Sequence, residues 1–325
     1  MGRGGRGGGS RNPANMPREQ QVSRKVSWLL RHGVAQEGLK LGKGGYVGVV
    51  DALNTKALRG LNVTFPELRE VVAKNDKQRF SMVLKTSLEE SAEESSPAQE
   101  KLESEAFDYP VSEDPADYLI RANQGHSVKV DTEGLLVPIT EEANNIPDTV
   151  VHGTDEPAWR LIIKSGGLRR MGRNHMHFAS GLPAGFKSLE PSASPADAKD
   201  AAPVISGMRK TSSILIYIDI RAALAAGIKF FVSENGVILT EGNGEGFLPY
   251  QYFKRVESRE QGGGVIMSGG LLPEGVEVNV EEWEREVAGK GRRGGRGARG
   301  GGRGRGGRGG KARAKDDSRD LMAGV

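Results

Sequence analysis

Apolar residues recur at helical spacing near the start of the chain. The positions that share one side of a predicted helix are Val22, Val26, Leu29 and Leu30. The pattern predicts a helix over residues 19–32, and Gly33 stands where helices often end in a left-handed glycine. This helix would end beside two basic residues, Arg31 and His32.

Shorter patterns follow in the first half of the chain. Residues 46–50 and 79–84 have the composition and alternation of strands. Between them, Thr64 and Glu67 form a capping-box sequence that predicts the start of another helix. Several short helices with a small sheet predict a winged-helix-like lobe over residues 19–137.

The second half of the chain has strand patterns separated by short helices. The predicted strands cover residues 149–152, 176–178, 214–220, 229–232 and 237–240. Asp155 is placed to cap a helix that ends at Gly166, and Asn235-Gly236 favours a type I′ turn between the last two strands. No G-x-G-x-x-G turn joins a strand to a helix, so a Rossmann domain is not predicted. We expect a mixed, sheet-centred lobe over residues 148–257 and an α+β chain overall.

Low-complexity segments set the predicted domain boundaries. Residues 1–18 and 289–325 are rich in Gly and Arg, and they predict disordered tails. Eleven acidic residues and one Lys between residues 89 and 117 predict a disordered acidic insertion. The other predicted segments are a linker over 138–147, a Ser/Ala/Pro-rich surface insertion over 187–203 and a C-terminal tail over 258–325.

The net charge of the chain comes from its two ends. The whole chain has 46 basic and 42 acidic residues, and residues 1–18 and 290–315 hold 15 of the basic ones without an acid. The remainder is therefore acidic, with 31 basic residues against 42 acidic ones. Basic tails attract RNA with little sequence preference, whereas an acidic body can bind it only through a local pocket.

Other features of the composition exclude several classes of protein. The chain has no cysteine, which excludes disulfides and thiolate metal sites. It has no apolar run long enough to span a membrane and no signal-peptide pattern at its start. We therefore expect a cytoplasmic and/or nuclear protein that does not bind membranes, and we expect a monomer.

All five histidines lie in four short segments, and each of these segments contains Gly. The segments are Leu30-Arg31-His32-Gly33, residues 121–127, Val151-His152-Gly153-Thr154 and residues 167–177. None of them contains Asp or Glu. A site with this composition suits a substrate that carries negative charge. Arginine suits a phosphate in particular, because its planar fork binds two phosphate oxygens and keeps its charge.

In this order, the four segments resemble the tRNA 2′-phosphotransferase (KptA/TPT) family. The similarity runs from about Val22 to Phe253 and includes residues 233–242 and 246–249. It implies a winged-helix lobe joined to a lobe of ADP-ribosyltransferase type. It also implies that NAD is consumed to remove the splice-junction 2′-phosphate of ligated tRNA, the final step of tRNA splicing, through an ADP-ribosylated 2′-phospho-RNA. The products would be 2′-hydroxyl RNA, nicotinamide and ADP-ribose 1″,2″-cyclic phosphate.

The resemblance also implies roles for individual residues. The catalytic core would be Arg31, His32, Arg121 and Arg173, with Arg169 and Arg170 as neighbours that leave the last assignment ambiguous. The NAD-binding residues would be His152, Gly153, Thr154, His177, Ser180 and Gly181. The residues around the RNA phosphate would be Gln124, His126, Ser127, Asn174 and His175. No metal is expected, and 2′-phosphorylated tRNA and NAD are the expected partners.

Several alternatives remain open from the sequence. The same site could ADP-ribosylate terminal phosphates of nucleic acid, or a protein, and stop after the first step. The chain could instead be a non-catalytic protein that binds RNA through its Gly/Arg tails. His175 and His177, with His152, could form a metal site, although neighbouring arginines would repel a cation. Which of His175 and His177 is functional is also open.

Overall fold

The computed structural model describes residues 16–75, 77–88, 112–182, 208, 211–260 and 262–293. The chain divides into two compact units, Met1–Leu135 and Leu136–Val325. Both units combine helices with antiparallel strands, so the predicted α+β class is confirmed. The predicted Gly/Arg tails, residues 89–111 of the acidic insertion and the Ser/Ala/Pro-rich insertion lie outside the described residues, apart from short stretches next to helices.

The first unit packs short helices beside a small sheet. Its helices are α1 (Arg18–Trp28), α2 (Val49–Asn54), α3 (Lys56–Arg59) and α4 (Phe65–Ala73). Its strands are β1 (Val47–Gly48), β2 (Phe80–Leu84) and β3 (Tyr118–Ala122). β3 lies between the other two strands and is antiparallel to both. The apolar positions of α1 pack against Leu58, Leu68 and Ile120 in one buried cluster.

The end of α1 differs from the prediction. The helix does not end at a left-handed Gly33; instead it passes directly into a π-helical turn, Leu29–Gly33. A Cβ on Gly33 would lie 2.7 Å from the ring of Trp28, so close packing, not a left-handed backbone, requires glycine here. π turns are rare and are frequent at functional sites. This one carries Arg31 and His32.

The start of α4 agrees with the prediction. The hydroxyl of Thr64 accepts a hydrogen bond from the backbone N–H of Glu67 at 3.4 Å. The Glu67 carboxylate also accepts from Arg18, at 2.6 Å from Nε and 2.8 Å from Nη2. This ion pair joins the first turn of α1 to the first turn of α4, and it holds the pKa of Glu67 below its usual value.

The last residues of the predicted acidic insertion, 112–117, lie within the described part of the chain. They form an ordered turn, because the carboxylate of Asp114 accepts from the backbone N–H of Ala116 at 2.8 Å. A short 3₁₀ turn, Pro115–Asp117, then leads into β3. The acidic composition of this end therefore reflects capping of a turn, which composition alone does not distinguish from disorder.

The second unit is built around two four-stranded sheets and a two-stranded ribbon. Its helices are α5 (Glu156–Lys164), α6 (Ile220–Ala225) and α7 (Val280–Arg293). Its strands are β4 (Leu136–Ile139), β5 (Val151–Thr154), β6 (Gly167–Arg169), β7 (Met176–Phe178), β8 (Ile214–Ile218), β9 (Phe230–Ser233), β10 (Ile238–Thr240), β11 (Phe247–Pro249), β12 (Phe253–Ser258) and β13 (Val265–Ser268). The sheet orders are β4-β9-β10-β7 and β13-β12-β8-β5, and β6 pairs with β11.

The core of the second unit explains why α5 forms where predicted. The Asp155 carboxylate caps the helix by accepting from the backbone N–H of Ala158 at 2.9 Å. One side of the helix buries Trp159 and Ile162 against apolar residues of both sheets, among them Phe178, Ile216 and Phe253. The helix ends before Gly166, whose φ of 83° is left-handed. β5, which precedes α5, lies at the edge of its sheet.

At two places where composition predicts a linker or a tail, the structure describes paired strands. The predicted linker over 138–147 begins inside β4, because Pro138 and Ile139 pair with β9. The predicted tail from residue 258 begins with structured chain, because Val265–Ser268 pairs with the free edge of β12 and α7 follows. Within the described ranges, no helix is both long and apolar enough to cross a membrane.

Candidate active site

The π turn of the first unit holds Arg31 and His32 against the segment that follows β3. Arg31 is only 5% exposed, and its carbonyl accepts from the backbone N–H of Ser127 at 3.1 Å. The His32 Nδ1 lies 2.7 Å from the hydroxyl oxygen of Ser127. Gly125 has a φ of 89°, and a Cβ there would lie 3.3 Å from the Arg31 Nε. The fold therefore brings two of the predicted segments together.

Arg121 is held from two sides on the central strand of the small sheet. Its Nη1 donates to the carbonyl of Gly134 at 2.6 Å and to that of Gly44 at 3.2 Å. Its guanidinium lies 4.5 Å from the ring centroid of Tyr46. Arg121 is 7% exposed, and its strand contacts the π turn that carries Arg31. The sequence interpretation missed Gly44 and Tyr46, for which the only signal is the glycine-rich run 42–45 before an aromatic residue.

The rest of the segment after β3 divides into supporting and candidate binding residues. Asn123 is 2% exposed; its Nδ2 donates to the Gln78 carbonyl at 2.9 Å, and its Oδ1 accepts from Ser81 at 2.7 Å. Asn123 therefore fixes the start of the segment that follows β3. His126 is 3% exposed, and Gln124 is half-buried.

In the second unit, β5 carries the predicted His152-Gly153-Thr154 segment. The His152 Nδ1 lies 2.9 Å from the carbonyl oxygen of His177. A carbonyl can only accept, so Nδ1 carries the proton and Nε2 is the acceptor in the neutral ring. Thr154 is 5% exposed, and its buried hydroxyl makes no hydrogen bond within the part of the chain that the structure describes.

The glycine of this segment packs against a side chain. A Cβ on Gly153 would lie 2.2 Å from the Cγ of Met208 and 3.0 Å from the Ser212 hydroxyl oxygen. The absence of a Cβ thus leaves room for Met208. Ser180 and Gly181 follow Ala179 directly, and Ala179 exchanges backbone hydrogen bonds with Val151 of β5 at 2.9 and 3.0 Å.

His175 and His177 have different environments. His177 is half-buried on β7 opposite Leu239, and its carbonyl orients His152. His175 precedes the strand, is 7% exposed and lies edge-on to Phe231. Burial lowers the pKa of His175, and the Glu241 carboxylate, 3.7 Å from its Nε2, opposes that shift. Among the described residues, no group of three or more His, Asp or Glu side chains could hold a metal ion.

The three arginines between β6 and β7 also differ. The guanidinium of Arg169 lies between the rings of Phe247 and Trp283, at 4.5 and 4.6 Å from their centroids. Arg170 is exposed, and its carbonyl accepts from the backbone N–H of Arg173 at 3.1 Å in a tight turn. Arg173 and the following Asn174 are half-buried. Arg169 thus has a packing role, which leaves Arg173 as the better candidate for binding substrate.

Comparison with known proteins shows the family. A family model described as RNA 2′-phosphotransferase, Tpt1/KptA family, matches residues 17–242. The chain belongs to this family. Its members are transferases, and this family of RNA 2′-phosphotransferases is the one that the sequence segments resemble.

Curated relatives of this phosphotransferase-family chain include animal and fungal proteins. It is 36% identical to tRNA 2′-phosphotransferase 1 of Danio rerio over 256 aligned residues, and the aligned region covers 79% of this chain and 92% of the relative. It is 36% identical over 251 residues to tRNA 2′-phosphotransferase 1 of Homo sapiens, and the alignment covers 77% of this chain and 80% of the relative. It is 31% identical over 226 residues to the tRNA 2′-phosphotransferase of Saccharomyces cerevisiae, covering 69% and 79%.

The family match includes every candidate site residue, since all of them lie between residues 31 and 181. It ends at residue 242, before β11, β12, β13 and α7. The candidate site residues therefore lie inside the matched part of the chain, whereas α7 lies beyond it.

Proposed function

We propose that this chain removes the 2′-phosphate from RNA in a reaction that consumes NAD, with ligated tRNA as its substrate. The observation that carries the proposal is the pair of buried arginines, Arg31 and Arg121, on adjoining elements, with His32 next to Arg31 in the π turn. We also propose a winged-helix-like role for the first unit and an ADP-ribosyltransferase-like role for the second. The supporting features are the short helices beside a three-stranded sheet and the two antiparallel sheets, respectively.

The arginines are proposed to bind and orient the 2′-phosphate. Such a phosphate is a dianion near neutral pH and already a nucleophile, so it needs orientation more than deprotonation. Arg31, Arg121 and Arg173 supply guanidinium forks that each bind two phosphate oxygens. Arg31 and Arg121 are buried before the substrate arrives, so they would also stabilise charge that builds on the phosphoryl oxygens during the reaction.

His32 is proposed to act in the second step, when a ribose hydroxyl attacks the phosphorus and the RNA 2′-oxygen leaves. Imidazole donates or accepts a hydrogen bond near neutral pH. The hydroxyl of Ser127, 2.7 Å from the Nδ1, fixes the ring orientation so that Nε2 points away from Ser127. We propose that His32 hydrogen-bonds to the reacting phosphate, and that Gln124, His126 and Ser127 also contact the RNA.

The second unit is proposed to bind NAD, which supplies the ribose carbon that accepts the phosphate and the nicotinamide that leaves. Its polar groups fit such a ligand. The buried Thr154 hydroxyl needs a hydrogen-bond partner, and the Nε2 of His152 can accept from a ribose hydroxyl. His177, Ser180 and Gly181 lie next to β5 through the backbone contacts described above, and we include them in this surface. Asn174 and His175 are proposed to contact the RNA.

The experiment is to incubate the full chain with NAD and a short oligonucleotide that carries an internal 2′-phosphate. The expected products are the 2′-hydroxyl oligonucleotide, nicotinamide and ADP-ribose 1″,2″-cyclic phosphate in equal amounts. The control is the same oligonucleotide without the 2′-phosphate, which should leave NAD intact. A stable ADP-ribosylated oligonucleotide would instead favour an enzyme that stops after the first step, and NAD that is not consumed would refute both.

The basic tails are proposed to add non-specific RNA affinity, which their composition supports. This contribution should weaken steeply as salt is raised, whereas recognition of the 2′-phosphate should persist. We propose a monomer that acts in the cytoplasm or the nucleus.

A further inference from the structure

The last helix of the second unit is fixed to α5 by charged and backbone contacts. Lys164, at the end of α5, donates from Nζ to Glu286 at 2.5 Å and lies 3.0 Å from the Glu282 carboxylate. The backbone N–H of Asn279 donates to the Lys164 carbonyl at 2.9 Å, and the Asn279 side chain caps α7 by accepting from the N–H of Glu282 at 3.0 Å. The helix therefore starts at a defined place on the unit.

The same helix contributes one side of a stack around Arg169. Trp283 of α7 and Phe247 of β11 face the guanidinium, with centroids at 4.6 and 4.5 Å. The Nη2 of Arg169 donates to the Ser165 carbonyl at 3.0 Å. Arg169 is also paired in register with Phe247 across the β6–β11 ribbon. A guanidinium between two aromatic faces is attracted to both, most strongly where water is excluded.

Arg169 is the last residue of β6, so the stack holds the base of the loop that follows. That loop, residues 170–175, contains Arg173 and His175. Met171 has a φ of 53°, a left-handed conformation that is uncommon for a residue other than glycine. A backbone in such a conformation persists only when its surroundings hold it. The hydrogen bond from the Arg173 N–H to the Arg170 carbonyl closes the turn around Met171, and Arg169 fixes the strand end from which the loop starts.

We propose that α7 is a brace for this loop, and that Trp283 and Arg169 are positioning residues for the groups that the loop presents. The identity of the ligand that the loop binds, an RNA 2′-phosphate, rests on the proposed function. Trp283 lies beyond residue 242, where the family match ends, so the brace adds a part from outside the matched chain to a loop inside it.

The first measurement is hydrogen exchange of the backbone amides of residues 170–176 in the full chain, which needs no substrate. Trp283→Ala should speed their exchange about fivefold to tenfold, because it removes a cation–π contact between two half-buried side chains. Trp283→Phe should restore most of the protection because it keeps an aromatic face. Arg285→Ala, an exposed change on the same helix, is the matched control and should have no effect. Unchanged exchange in Trp283→Ala would overturn the brace.

The second measurement is the kinetics of the same variants. Trp283→Ala should raise the KM for 2′-phosphorylated RNA about fivefold to tenfold, in line with the same contact energy, and leave the KM for NAD unchanged. An equal rise in the KM for RNA and the KM for NAD would show that Trp283 has a general structural role, and it would refute positioning of the loop.

A variant of the cation keeps the inference testable if Trp283→Ala fails to fold. Arg169→Lys retains the charge but loses the flat guanidinium, and it should show the same local rise in exchange. Protection equal to wild type in Arg169→Lys would also overturn the brace. If the wild-type chain turns over no RNA, the proposed function fails, while the exchange data still decide whether the brace exists.

Discussion

The guanidinium of Arg121 stacks on the ring of Tyr46 at 4.5 Å while its Nη1 donates to the Gly134 carbonyl at 2.6 Å. The ring restrains the guanidinium from one face, and the hydrogen bond restrains it at Nη1. Together they fix the orientation of the group. A guanidinium held in this way loses little freedom when a phosphate arrives, which favours binding and stabilisation of charge.

Removing the aromatic face should therefore weaken the reaction without unfolding the chain. Tyr46→Leu should lower kcat/KM for the 2′-phosphorylated oligonucleotide about tenfold, the value of a partly desolvated cation–π contact of roughly 1–2 kcal/mol. Tyr46→Phe keeps the ring and should stay within about threefold of wild type. Steady-state kinetics with circular dichroism as the folding check distinguish these outcomes. Equal activity of Tyr46→Leu and Tyr46→Phe would show that the aromatic contact with Arg121 does not contribute to the reaction.

Arg173 should be essential although it is only half-buried. Arg173→Ala should reduce dephosphorylation by about 10²–10³-fold, the usual effect of removing one prealigned donor to a developing charge. The control is Arg221→Ala, an exposed arginine of the same unit that pairs with Glu141 at 3.6 Å, and it should keep normal activity. Single-turnover assays with both variants provide the measurement. Near-normal turnover in Arg173→Ala would exclude this residue from the site.

The π turn should depend on the contact between Gly33 and Trp28. Gly33→Ala places a Cβ 2.7 Å from the indole ring, and such overpacking costs about 1–3 kcal/mol. The π turn should shift, and activity should fall with it because Arg31 and His32 move. The double variant Trp28→Leu/Gly33→Ala should be destabilised less than the sum of the two single variants. Urea unfolding of all four proteins gives the coupling energy, and strict additivity would contradict the steric explanation.

His175 should make stability depend on pH. Its folded-state pKa is lowered by burial, so above about pH 6.5, the unfolded value, its neutral ring contributes full stability. As the pH falls below that value, the unfolded chain takes up the proton first, and stability is lost at up to about 1.4 kcal/mol per pH unit until the folded pKa is passed. Melting temperatures of wild type and His175→Gln between pH 8 and 5 test this. The Gln variant should show the shallower decline.

The sequence predicted the elements whose signals are local. Asp155 and the apolar face of α5 are close together in the chain, and so are Thr64 and Glu67, and both helices form as expected.

The turn at Asn235-Gly236 shows the limit of such signals. Only Gly236 has a positive φ, and the Ser233 hydroxyl binds the buried Asn235 side chain at 2.8 Å. A longer loop with one left-handed glycine therefore replaces the predicted type I′ pair.

The features that sequence reasoning missed depend on contacts between distant parts of the chain. Nothing next to Arg169 in the sequence indicates Trp283, and nothing next to Arg121 indicates Tyr46. Strand β13 was missed because its glycine-rich neighbours have the composition of a tail, while its pairing depends on the open edge of β12. The candidate site residues were predicted from the sequence because Arg, His and Gly occur together in short segments. Their burial and their partners followed only from the fold.

The docked position of α7 has a practical consequence for anyone shortening the C-terminus. Removing the chain from residue 286 onward would take away Glu286, a partner of Lys164, together with the basic segment. Any loss of RNA affinity would then mix an electrostatic effect with a loosened scaffold. A stop codon placed after Arg293 deletes most of the glycine–arginine segment and keeps every described contact of the helix, so the two effects can be measured apart.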